Sequence, residues 1–288
     1  MKSMSSLHPS EPNRTPICYF APSGVNPAAA WRLALDFIER AGSVSKLYSW
    51  WAYGSERPRN RNLWEESSGA DILRALQAEK VTGWCVHATS GTKTLRISLD
   101  GPWSGFPWQH FSLTSQIPDL PIQNPLPLVE ELASVGELAL AVVLDARYGS
   151  WQRCSDLEYY SEHFGSTEGL RIIRKLAIPP IPERLVLDTS TNPGRNEVIN
   201  GGPAMVAADM WLGPAFWEYA PCTRKDVIRQ RWLEVRDTES FLYIKAYPEP
   251  FTRPDGEQGE IQRRLWKQVF HSDCRWPPGG NASADLGC

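Results

Sequence analysis

The sequence predicts an α+β fold, a mainly antiparallel sheet flanked by helices, and three observations carry that reading. Helical and strand-like stretches mix without the strict alternation a parallel, doubly wound sheet requires. Residues 93–100 alternate through Leu95, Ile97 and Leu99, the mark of a half-buried antiparallel strand. The chain has 288 residues, 42% hydrophobic and 22% charged, enough to bury a substantial core at an ordinary globular composition. Thirteen tryptophans supply large, rigid side chains that suit cores and recognition surfaces equally.

Residues 1–24 read as a flexible N-terminal arm able to dock Ile17, Tyr19 and Phe20 onto the body. An N-terminal α+β half follows over residues 25–117. It opens with a helix from Asn26 to Ala41, with Asn26 as cap, Pro27 in the first turn and Gly42 as terminator. Trp31, Ala34, Leu35 and Ile38 form its apolar stripe. A strand over 46–53 comes next, then a helix from Ser67 or Ser68 to about Glu79. A hairpin over 81–88 and 93–100 turns at Ser90-Gly91, an aromatic loop covers 101–108, and a third strand spans 109–115. The Pro-rich stretch 118–127 is the best internal boundary.

The C-terminal α+β half covers residues 128–272. It reads as a helix near 127–136, an apolar strand over 138–144, helical stretches near 155–164 and 167–177, and a strand over 184–188. A polar loop spans 192–202. A helix near 224–231, strands near 232–236 and 241–247, and a helix near 259–270 follow. Residues 273–288 read as a disordered tail. Tyr53-Gly54-Ser55 is echoed by Tyr148-Gly149-Ser150, which leaves open an internal duplication of two related halves.

Catalytic and ligand motifs are missing. The chain contains no phosphate loop, no dinucleotide turn and no nucleophile elbow, and its five histidines form no metal-ligand spacing. No cofactor and no metal are expected. Cys85 and His87 share one side of a strand and form the only nucleophile–base pair worth weighing. Between Trp84 and Val86, however, a small core cysteine is the plainer reading. Asp145 and Asp188 close apolar strands, where aspartates ordinarily terminate strands and cap turns. A net charge of −3 and a pI of about 6.0 argue against direct nucleic-acid binding. No apolar run suits a signal peptide or a membrane span, so a cytoplasmic protein with scattered, reduced cysteines is expected.

Charge is more informative. Between Pro127 and Glu168, eight carboxylates (Glu130, Glu131, Glu137, Asp145, Asp156, Glu158, Glu162, Glu168) face only Arg147 and Arg153, a net −6. A solvated helix face accounts for this, and so does a surface that meets a basic partner. On the second reading Asp156, Glu158, Tyr159, Tyr160 and Glu162 are the contacts, because tyrosines beside carboxylates suit a hot spot with a polar rim. Trp103 and Trp108, in an aromatic loop, are a second candidate contact.

The helix segment WRLALDFIERAG, the strand LYSWWAYGS and the segment WEYAPC, with Tyr219 and Cys222, resemble bacterial immunity proteins of the immunity protein 52 type. The resemblance spans roughly residues 31–270. It implies a non-catalytic cytoplasmic protein that binds and neutralises a cognate toxin delivered by a type VI secretion system, typically a nuclease. A basic, phosphate-holding nuclease surface would complement the acidic window. Two other classes stay open: a hydrolase-like enzyme with a dispersed site, and a structural or assembly protein.

Overall fold

The computed structural model describes residues 14–40, 45–51, 73, 74, 76, 83–90, 93–101, 107–115, 126–164, 171–175 and 184–272. The strands are β1 (Arg14–Val25), β2 (Ser45–Trp51), β3 (Gly83–Ser90), β4 (Lys93–Asp100), β5 (Gln109–Ser115), β6 (Gly136–Asp145), β7 (Ile172–Lys175), β8 (Arg184–Leu187), β9 (Glu197–Ile199), β10 (Gly202–Ala204), β11 (Asp209–Leu212), β12 (Glu234–Asp237) and β13 (Leu242–Lys245). The helices are α1 (Pro27–Arg40), α2 (Leu126–Val135), α3 (Ala146–Arg153), α4 (Leu157–Phe164), α5 (Arg224–Ile228) and α6 (Gly256–Val269). Nine strands form one sheet in the order β12-β13-β11-β6-β1-β5-β4-β3-β2. Every pairing in it is antiparallel. The α+β class with a large antiparallel sheet is therefore the observed one, and β7–β8 and β9–β10 are separate two-stranded hairpins.

Alternation along the central strands sorts the core onto both faces of the sheet. In β1, Ile17 and Tyr19 join one apolar cluster while Cys18 and Phe20 join the other. In β6, Leu140, Val142 and Leu144 face the first cluster, and Ala141 and Val143 the second. This double burial explains why β6 reads as a continuous apolar run rather than an alternating one. On the first face lie Phe216 and, from α6, Leu265, Trp266 and Val269. On the second lie α1 and α2, through Trp31, Ala34, Ile38, Leu128, Val129 and Leu132. Trp31 meets Trp84 edge-on at 5.1 Å, an arrangement aromatic quadrupoles favour. Asn26 caps α1 as expected, its Oδ1 accepting from the amides of Ala28 (3.0 Å) and Ala29 (3.1 Å).

Several expectations are corrected. Arg14–Val25 is not an arm: β1 lies at the middle of the sheet, between β5 and β6. Strands from before and after the Pro-rich connection therefore belong to one sheet. The helix expected near 167–177 is instead strand over 172–175, paired with β8. Two neighbouring β-branched residues, Ile172 and Ile173, suit that conformation. The loop expected at 192–202 contains the β9–β10 hairpin. Its turn is Asn200-Gly201, with φ of 49° and 83°, the left-handed geometry tight hairpins need. Helix α3 and strand β11 went unread in the sequence. Most of the helix expected at 67–79, the connection over 118–125, the N-terminal residues 1–13 and the tail over 273–288 lie outside the described residues.

Candidate interaction surface

Helix α4 begins where Asp156 caps it, its Oδ1 accepting from the amide of Tyr159 at 2.9 Å. Helical spacing then divides its side chains. Leu157 and Tyr160 turn inward and pack with Leu187 of β8 and Cys154. Glu158, Tyr159 and Glu162 turn outward, and neighbours three and four residues apart share one face. Tyr159 is 48% exposed and Tyr160 is fully buried. Tyr160 therefore anchors the helix, and Tyr159 is the tyrosine that reaches solvent.

The amide of Leu187 donates to the carbonyl of Ser155 at 2.9 Å, tying β8 to the approach to α4. The hairpin register places Ile172 opposite Leu187 and Arg174 opposite Leu185, so these four positions share a face. The helix covers Leu187 and leaves its neighbours uncovered: Ile172 is 44% and Leu185 57% exposed. Asp188, just past β8, is buried, accepts from the amide of Ser190 at 3.0 Å and pairs with Arg171 at 3.1 Å. Burial alone pushes its carboxyl up, but the Ser190 hydrogen bonds and Arg171 outweigh this and hold it below the usual aspartate range.

The acidic window is less acidic in space than in sequence. Glu130 pairs with Arg236 at 2.5 Å and Glu131 with Arg40 at 3.1 Å. Asp145 caps α3 through the amide of Tyr148 at 2.7 Å, and Asp156 caps α4. Glu168 lies outside the described residues. Glu158 and Glu162 carry the remaining negative surface of α4, beside a hairpin bearing Arg171, Arg174 and Arg184. The window ends in sequence just before that basic run, so its net charge overstated the local field.

The second candidate contact is not supported as a surface. Trp108 is 7% exposed; its Nε1 donates to the carbonyl of Gly201 at 2.6 Å, and its ring meets Tyr219 edge-on. Trp103 lies outside the described residues. The signal that could have pointed to Ile172 and Leu185 was the Ile172-Ile173 and Leu185-Val186-Leu187 runs flanking a proline cluster, a strand–break–strand pattern.

Beyond this surface, a buried polar cluster fixes the loop before β9. Arg195 is 2% exposed and lies over the ring of Trp266, 3.8 Å from its centroid. It donates to Glu197 (2.5 Å), to the carbonyl of Asn192 (3.0 Å) and to Ser272 Oγ (3.0 Å). Gln152 Oε1 accepts from the amide of Gly194 at 3.0 Å, and Trp266 Nε1 donates to the carbonyl of Pro193 at 2.7 Å.

Cys85 Sγ and His87 Nε2 do meet on β3, at 3.2 Å. A reactive thiolate there needs a charged imidazolium beside it. Burial, and then Arg96, hold His87 below the usual histidine range, and both oppose that charge. Among the described residues no group of three or more His, Cys, Asp or Glu side chains is arranged to hold a metal ion. No described helix is long and apolar enough to cross a membrane.

No family model matches the chain, and no curated protein matches its sequence. Among solved structures, the chain is similar to Pseudomonas aeruginosa T6SS protein PA0821, with 12% identity and a TM-score of 0.46. The match covers 95% of this chain and 80% of that one. At this score the likeness does not demonstrate a shared fold.

Proposed function

We propose that this protein is a non-catalytic immunity protein that binds a cognate secreted toxin, a basic nuclease, and neutralises it by protein–protein contact. The observation that carries the reading is the surface where α4 meets the β7–β8 hairpin. It pairs exposed apolar side chains, Tyr159, Ile172 and Leu185, with Glu158 and Glu162 on the same helix as the tyrosine. An apolar centre bordered by charge is the anatomy of a binding interface. The resemblance to immunity protein 52 supplies the partner class, delivery by a type VI secretion system and a cytoplasmic site of action.

The test is binding kinetics of the full chain against the toxin encoded beside it, at two ionic strengths. Replacing Glu158 and Glu162 together with lysine slows association and flattens its salt dependence, because rim charges act mainly on encounter. Leu185→Ser speeds dissociation about tenfold or more, as loss of a central apolar contact does. Asp156 stays untouched, since its reversal also uncaps α4. Wild-type rates in both variants would move the contact elsewhere on the molecule; no binding by the wild-type chain would end the immunity reading.

A further inference from the structure

Strand β7 is exposed on both of its faces. Successive side chains of a strand point to opposite faces, so Ile173 stands on the face away from Ile172. Ile173 is 38% exposed, and with Ile172 and Leu185 it makes three of the six large apolar side chains exposed among the described residues. Half of that exposed apolar surface is thus gathered on one short hairpin. Two strands alone are marginal in water and gain stability from a third strand or a packed helix. Helix α4 supplies part of this by covering Leu187 of β8, but Arg171, Ile172, Ile173 and Arg174 all remain exposed.

The backbone of β7 is open along its outer edge as well. The amide of Asp188 donates to the carbonyl of Arg171 at 2.9 Å, which makes Arg171–Asp188 a hydrogen-bonded rung. Rungs alternate along an antiparallel pair, so Ile173–Val186 and Lys175–Arg184 are hydrogen-bonded too. The N–H and C=O of Ile172 and of its opposite, Leu187, therefore point outward from the hairpin. On β8 that edge is taken, because the Leu187 amide donates to the carbonyl of Ser155 at 2.9 Å. On β7 it is not: β8 is the strand's one neighbour, and no described group receives the Ile172 amide. An edge of this kind is a template for a strand of another chain.

Charge selects the occupant. The register sets Lys175 opposite Arg184, two cations across one rung, an unfavourable pairing that a neighbouring carboxylate relieves. A second copy adding its own β7 would bring Arg171, Arg174 and Lys175 against the same three residues, so like charges oppose it. We propose that the toxin adds a β-strand to the outer edge of β7, pairing its main chain with Ile172. Its apolar side chains lie against Ile172 and Ile173, and it carries a carboxylate beside the Lys175–Arg184 rung. This binding mode rests on the immunity reading and gives that contact its geometry. With Glu158 and Glu162 on the adjoining helix, charges of both signs then fix the register of the incoming strand.

Ile172→Pro and Ile172→Ala are compared in the full chain against the toxin encoded beside it. Both lose the isoleucine side chain, but only proline removes the outward N–H, which β8 does not use, so the hairpin persists. Circular dichroism establishes that each variant is folded. Proline weakens binding about tenfold or more beyond alanine, the loss of a backbone hydrogen bond and of room for the strand. Hydrogen exchange of the wild-type complex gives a reading that needs no variant. The Ile172 amide becomes protected on toxin binding, whereas those of Ile173 and Lys175, bonded to β8, are protected beforehand. Replacing Lys175 and Arg184 together with glutamine slows association, and unchanged rates overturn the acidic character of the strand. Equal affinities of folded proline and alanine variants, or an Ile172 amide still exchanging freely in the complex, overturn strand addition and leave the immunity reading standing. A wild-type dimer that Ile172→Pro dissolves makes the occupant a second copy and overturns it too. No binding of toxin by the wild-type chain ends both readings.

Discussion

Replacing Arg195 with methionine tests whether the buried polar cluster before β9 holds the C-terminal part of the fold together. The substitution keeps much of the side chain's volume and its contact with Trp266, since a thioether also packs on an aromatic face. It removes the ion pair to Glu197 and the donors to Asn192 and Ser272. Stranding one member of a buried pair costs about 3–5 kcal/mol. Glu197 keeps 28% side-chain exposure against 2% for Arg195, so water partly receives its stranded charge and the low end, about 3 kcal/mol, applies. At roughly 2–4 °C per kcal/mol for a chain of this size, the melting temperature falls by roughly 6–12 °C. Urea and thermal unfolding, followed by tryptophan fluorescence and circular dichroism, measure both quantities. Adding Glu197→Gln to the Arg195→Met variant removes the stranded charge and recovers about 1 kcal/mol. A loss below about 1 kcal/mol in the single variant would show that the cluster is ornamental. A double variant no more stable than the single one would show that the Glu197 charge is not what the loss reflects.

Two other perturbations probe the sheet. Gly213 follows β11 so closely that a Cβ would sit 2.0 Å from the carbonyl oxygen of Leu138, while its amide donates to Ala139 at 2.8 Å. Gly213→Ala therefore forces β11 away from β6 and costs about 3 kcal/mol or more, read as lost soluble yield and a lower melting temperature; a wild-type melt refutes it. His87 has its folded pKa depressed below 6.5, by burial first and Arg96 second. A depressed group contributes stability above its unfolded pKa, and this is lost as pH falls through the folded value. Urea midpoints thus decline on acidification below about pH 6.5, and His87→Gln flattens that slope. Equal slopes in both proteins would remove His87 as a source of pH dependence.

What the sequence disclosed follows the range over which each signal acts. The β3–β4 hairpin was legible because its alternation and turn lie within adjacent residues, and the register pairs Trp84 with Leu99 through Ser90 with Lys93. Asn26 and Asp145 were legible as caps and terminators because a cap acts within three residues. Strand β1 was not, since its partners, Ser112 and Val142 at Ile17, lie far along the chain and its own prolines read as linker. Helix α3 was hidden by Gly149 and three aromatic or polar neighbours of modest helix propensity; the packing of Tyr148 and Gln152 against Gly194 supports it from outside. Of the α4 residues expected as contacts, Glu158, Tyr159 and Glu162 face outward, whereas Tyr160 turns inward, because composition does not report which way a helix faces.

The position of β1 also governs when the sheet can assemble. Strand β1 joins the two flanks of the sheet, and β6, its partner on one side, begins roughly 110 residues after β1 ends. At synthesis rates of roughly 5–20 residues per second, β1 waits about 5–20 s after it is made with that edge open. Its apolar residues Ile17, Cys18, Tyr19 and Phe20 are all buried once the sheet closes, so during that interval they form an exposed adhesive segment of the nascent chain. The charge of Arg14 and the prolines at positions 16 and 22 are the features of β1 itself that discourage pairing with another chain before β6 arrives.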